Sequence, residues 1–119
     1  MIRYMFSPRA ALFSLFALML PLGALSAPVS AEVPEYVIVI KNHQFEPAEL
    51  KIPAGTKVKL IVRNEDPTPE EFESYDFNRE KIVRGNSQIK VFVGPLKPGT
   101  YKFFGEFNPQ TAQGRLIVE

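Results

Sequence analysis

Leu96-Lys97-Pro98-Gly99-Thr100-Tyr101, running on into Lys102-Phe103-Phe104-Gly105-Glu106-Phe107, is the stretch that decides the fold. A Leu-x-Pro-Gly-x-Tyr run resembles a tyrosine corner, in which the phenol hydroxyl bonds back across a Greek-key connection. The aromatic segment Thr100–Phe107 then reads as a strand. Upstream, Gln88–Val93 alternates, with Ile89, Val91 and Val93 set against Lys90, and the Pro/Gly-rich Gly94–Gly99 connects the two. Downstream, Arg115–Glu119 carries Leu116 and Val118 on one face and reads as the last strand.

The same pattern extends toward the N-terminus. Lys57–Asn64 places Val58, Leu60 and Val62 inward and Lys57, Lys59 and Arg63 outward. Pro53-Ala54-Gly55-Thr56 is a turn, and Glu49–Ile52 before it is a short strand with Leu50 and Ile52 facing in. Glu35–Lys41 has apolar residues on both faces, Tyr36, Ile38 and Ile40 against Val37 and Val39, which predicts burial on both sides. Asn42-His43 breaks that run. Between residues 64 and 88 the pattern is weaker: a polar loop over Asn64–Pro69, an aromatic strand over Phe72–Phe77, and an edge segment over Arg79–Arg84. About seven or eight short strands at roughly 8–12-residue spacing, with no helix of three turns after residue 31, predict an all-β, Greek-key antiparallel β-sandwich.

A chain of 119 residues has room for one such domain. Residues 1–31 hold Arg3 and Arg9, no acidic residue and all three methionines. A positive Met1–Arg9, an apolar Ala10–Leu20 and small residues up to Ala31 are expected to form a secretory signal peptide cleaved after Ala31. Pro21 interrupts the apolar run, which disfavours a permanent anchor. Residues 32–119 then form the mature domain, placed in the periplasm, with 12 basic and 13 acidic residues and no sulfur atom. Disulfides, thiolate catalysis, cysteine zinc sites and Fe–S clusters are excluded. Near-neutral charge without a basic patch gives no support to nucleic-acid binding.

Four segments together resemble the cupredoxin superfamily: Phe45–Thr56, Val58–Asp66, Pro98-Gly99-x-Tyr101-x-Phe103 and Gly114-x-Leu116-Ile117-Val118. The blue-copper members use His, Cys, His and an axial Met. At the matching places this chain has Glu70 and Glu71 for the first His, and Gly105, Asn108 and Ala112 for the others. A type-1 blue copper centre is therefore excluded. Gln44-Phe45-Glu46-Pro47 and Glu71-Phe72-Glu73 are similar to the EfeO-type cupredoxin-like domain of bacterial periplasmic iron-uptake systems. That resemblance implies a partner, either a membrane iron permease or a periplasmic iron-uptake component.

Glu65, Asp66, Glu70, Glu71 and Glu73 form an acidic cluster. Period-two alternation puts Glu71 and Glu73 on one strand face, within reach of one cation. His43, at the end of the first strand, and Glu106, near the end of the aromatic arm, are candidates to complete a metal site with them. Oxygen ligands with one imidazole suit an iron or copper ion. The alternative is a metal-free scaffold that docks to a periplasmic or membrane partner, with the acids merely solvating a sheet edge. Tyr75, Phe77, Phe103, Phe104 and Phe107 are expected mainly in the core, with Phe104 or Phe107 as candidates for an exposed docking patch. Enzyme chemistry finds little support. The mature serines, Ser74 and Ser87, lack a nucleophile-elbow context, and ferroxidase assistance would need a redox metal.

Overall fold

The computed structural model describes residues 32–119; the expected signal peptide, 1–31, lies outside the described residues. Nine strands follow one another: β1 Glu35–Lys41, β2 Gln44–Glu46, β3 Glu49–Ile52, β4 Val58–Asn64, β5 Glu70–Ser74, β6 Arg79–Val83, β7 Ser87–Val93, β8 Gly99–Gly105 and β9 Gln113–Val118. They form a four-stranded sheet, β2-β1-β4-β7, and a five-stranded sheet, β3-β9-β8-β5-β6. The all-β sandwich is the expected one, with one strand more. The sheets are mixed rather than purely antiparallel. β1 runs parallel to β4, and β3 runs parallel to β9. The chain visits the other sheet at β3 before it returns as β4, so it re-enters alongside β1 in the same direction.

Alternation places the core. Val58, Leu60 and Val62 of β4, Val91 and Val93 of β7, and Leu116 and Val118 of β9 are all buried, and Leu50 packs against them. Phe45, Phe72, Phe77 and Phe103 form the aromatic centre. Phe45 stands edge-on to Phe103 at 5.0 Å, and Phe72 lies 5.2 Å from Phe103. Such pairs add to the burial of large apolar area. Burial of β1 on both faces is not found. Ile38 and Ile40 are fully buried, but Val37 on the other side is exposed to solvent. The β-branched outer residues suit a half-exposed pleat as well as a buried one.

The tyrosine corner is present. Tyr101 donates its phenol hydrogen to the carbonyl of Lys97 at 2.8 Å. β1 and β2 are joined by a two-residue hairpin, Asn42-His43, with both φ angles positive at 54° and 58°. This is the primed-turn geometry whose twist matches the flanking strands. Asp66 clamps it by accepting from the amides of Asn42 at 2.8 Å and His43 at 2.9 Å. Buried Asn64 organises the β4–β5 loop, donating to the Thr68 carbonyl and accepting from the Asp66 amide. Arg79 and Lys81 of β6 reach across to the carbonyls of Phe92 and Lys90, capping groups on the unpaired side of β7.

Candidate functional site

β5 begins two residues earlier and ends three residues earlier than the sequence pattern indicated, at Glu70 and Ser74. Its ending has a local cause. The Ser74 hydroxyl donates to the Lys102 carbonyl, and Asp76 accepts from the Lys102 amide, so side chains take over the backbone pairing to β8. Tyr75 is thereby turned out into solvent, 77% exposed.

Along β5 the side chains alternate with period two. Phe72 is in the core, so Glu70 shares its inward face, and Glu71 and Glu73 share the outward face. Register sets Glu73 directly opposite Glu80 of β6 and opposite Phe104 of β8. The result is a group of three carboxylates, Glu71, Glu73 and Glu80, with one oxygen from each within 4.8 Å of the others. Glu106 follows β8, and its amide donates to the Glu71 carbonyl at 2.9 Å. Its charge acts on both Glu71 and Glu73.

The electrostatics of this face are one-sided. Burial, then the charges of Glu80 and Glu106, push the Glu71 and Glu73 carboxyls above the ordinary carboxylate value. Glu73 is only 8% exposed. Among the described residues, the ion pairs lie elsewhere, at Lys59–Glu35 and Arg115–Glu49. Glu73 thus has a buried carboxylate whose side-chain neighbour within hydrogen-bonding reach is another acid, Glu80. A buried carboxylate ordinarily has a donor or a cation beside it. Tyr75 leans on Phe104 with ring centroids 5.3 Å apart, at the border of the same group.

Of the four residues singled out in the sequence, Glu71 and Glu73 come together and Glu106 stands beside them. His43 does not join them. It sits in the β1–β2 hairpin of the four-stranded sheet, its Nδ1 3.6 Å from Asp66, while the carboxylates lie on the outer face of the other sheet. Glu80 takes the remaining place. In the sequence Glu80 reads only as part of the Arg79–Arg84 edge segment, yet the four-residue turn Tyr75–Asn78 pairs residue 74 with 79 and therefore 73 with 80. Glu65 is exposed and Asp66 is a turn clamp. The aromatic residues divide: Phe77 and Phe103 are core, whereas Tyr75 and Phe107 are exposed.

Glu70, the inward acid, is 1% exposed. Its Oε1 accepts from the amides of Glu71 at 2.9 Å and Phe107 at 2.8 Å, and its Oε2 accepts from the Asn108 side-chain amide at 2.9 Å. Its carboxyl lies against Gly105, where an added Cβ would come within 2.5 Å of Cδ and 2.7 Å of the Ala112 methyl.

A family model described as a cupredoxin-like domain matches residues 10–118. An uncharacterized protein of Rickettsia prowazekii (strain Madrid E) is 50% identical over 84 residues, 71% of this chain and 67% of that protein. Among solved structures, auracyanin A, a "blue" copper protein of Chloroflexus aurantiacus, superposes with a TM-score of 0.63 at 15% identity. The match covers 74% of this chain and all of that one. The metal-binding domain of the Streptococcus pneumoniae D39 Cu(I)-exporting P-type ATPase CopA, solved with Cu(I), gives 0.67 at 13% identity, covering 78% and 92%. At these identities the likeness is one of fold. Copper is the ion of both proteins, and the residues here do not fit a copper centre of the blue type. There is no cysteine, the single histidine is in the β1–β2 hairpin, and Glu70 fills the space beside Gly105, Asn108 and Ala112.

Proposed function

The chain belongs to the cupredoxin-like family, and we propose that it binds a hard metal cation on the outer face of its five-stranded sheet rather than copper in the sandwich. Glu71, Glu73 and Glu80 are the ligands, and Glu106 adds its charge from the edge. The observation that carries this reading is Glu73, 8% exposed, whose hydrogen-bonding side-chain neighbour among the described residues is another acid, Glu80, and which lies within 4.8 Å of two other carboxylates. A cation removes the mutual repulsion that raises the Glu71 and Glu73 carboxyls, so binding and charge relief are the same event. An all-oxygen set is the donor chemistry of manganese, calcium and iron, and its selectivity against copper comes from ion availability rather than raw affinity. The proposed role is iron handling in the periplasm after removal of 1–31, with transfer to a membrane iron permease or an iron-uptake component. The EfeO-type likeness of Gln44–Pro47 and Glu71–Glu73 supports that context.

Calorimetric titration of the purified protein with Fe(II) under anaerobic conditions, and with Mn(II) and Cu(II), tests the reading. One equivalent of Fe(II) or Mn(II) is expected to bind, with affinity falling at least about tenfold in Glu73→Gln, the loss of one charged ligand. Equal affinity in the variant, or no binding of any ion, overturns it.

A second reading rests on the exposed Tyr75, Ile82 and Phe107, which with the four acids make an aromatic and acidic surface suited to a docking partner. Capture of a periplasmic partner that survives EDTA and the Glu71/Glu73 double alanine variant favours this adaptor role.

A further inference from the structure

The inward acid of β5 carries a different inference, independent of whether the sheet face binds a cation. We propose that Glu70 is a built-in substitute for a metal: its carboxylate clasps the β8–β9 loop to β5 and closes the pocket in which this fold would otherwise seat an ion. The clasp has three donors from three residues. Two are backbone amides, of Glu71 and Phe107, and the third is the Asn108 side chain. Hydrogen bonds to a carboxylate are among the stronger ones, and burial to 1% exposure removes competition from water. The loop they hold is itself one tight turn, with the Ala112 amide donating to Asn108 at 2.8 Å and the Gly105 amide to Ala112 at 2.9 Å. Glu70 thus joins the start of β5, at the end of the β4–β5 loop, to the segment that leaves β8. Those are the two regions that match the ligand positions of the blue-copper proteins this sequence resembles, at 70–71 and at 105, 108 and 112.

Gly105 makes the substitution mutual. A side chain at that position would overlap the Glu70 carboxyl group, with Cβ 2.6 Å from Oε2, and would also press on the Ala112 methyl. A glutamate at 70 in this rotamer and a cysteine at 105 therefore exclude each other. Ala112 and Asn108 fit the same plan, one by leaving space and one by offering an amide N–H where a metal ligand would offer a lone pair. Glu70, Gly105, Asn108 and Ala112 act as one unit, and the unit holds the loop without any ion.

Amide hydrogen exchange by NMR on the wild-type protein, Glu70→Gln and Glu70→Ala tests this. The Phe107 amide is expected to be protected in the wild type prepared free of metal. It is expected to lose protection at least about tenfold in Glu70→Ala, with a Tm fall of roughly 10 °C. Glu70→Gln keeps the shape and one acceptor, so it is expected to lie between the two and to remain folded if the alanine variant does not. A double-mutant cycle with Gly105→Ala adds the second arm. The Tm fall caused by Gly105→Ala is expected to be smaller in the Glu70→Ala background than in the wild type. Unchanged Phe107 protection in both Glu70 variants, an unprotected Phe107 amide in the metal-free wild type, or strict additivity in the cycle overturns the proposal.

Discussion

Glu70 and Glu73 lie three residues apart on one strand, both buried, and have opposite surroundings. Glu70 points into the sandwich and meets three N–H donors. Glu73 points outward and meets Glu71, Glu80 and the charge of Glu106. Asp66 sharpens the contrast, because it is 8% exposed just as Glu73 is, yet accepts two backbone amides. Burial of a carboxylate is therefore not what marks a site in this molecule. On the proposed reading burial without a donor is, because such a group raises the energy of the fold unless a ligand supplies the missing charge.

Four experiments break or sharpen that contrast. The largest effect is expected from crowding the satisfied carboxylate. Gly105→Ala pushes a methyl into Glu70 and Ala112 and should cost about 3 kcal/mol, read by denaturant unfolding. Next, Asp66→Ala leaves the Asn42 and His43 amides without their acceptor and should cost about 2 kcal/mol. A cost near zero would show that the hairpin holds itself. Third is the pH profile. The folded-state carboxyls of Glu71 and Glu73 are raised, so the folded state holds protons more tightly than the unfolded one. Their contribution to stability is then most favourable at low pH and is lost as pH rises from the ordinary carboxylate value through the raised one. Thermal melts without added cation should show this decline, and a saturating cation should flatten it. The smallest effect is expected at His43. His43→Ala should leave cation affinity unchanged, since the imidazole is on the other sheet. A tenfold loss there would return His43 to the ligand set.

The fold was largely legible because its devices are local. Pro98-Gly99-x-Tyr101 encodes its own corner, and the alternation in residues 57–64 and 115–118 assigns inner faces directly. β2 was not legible, since three residues between two turns leave no period to read, and its one core side chain, Phe45, looks like part of a loop. The parallel pairings were hidden because strand direction depends on which sheet the chain visits at β3. At the site, the shared face of Glu71 and Glu73 follows from alternation alone. Glu80 needed the length of the β5–β6 turn, and the inward turn of Glu70 needed the parity of Phe72 carried back two residues. His43 was misplaced because proximity to the sandwich end says nothing about which outer face a side chain can reach.

The proposed cation site on the outer face rests on the Glu71, Glu73 and Glu80 carboxylates. The most direct measurement is thermal unfolding at pH 7 of the wild type and Glu73→Gln, each with and without excess Mn(II). Without the cation the variant should be the more stable of the two, because one repelling charge is gone. With it, the wild type alone should rise, as ligand binding to the folded state requires, and should overtake the variant. Equal shifts in both proteins, or no shift in the wild type, would contradict the account.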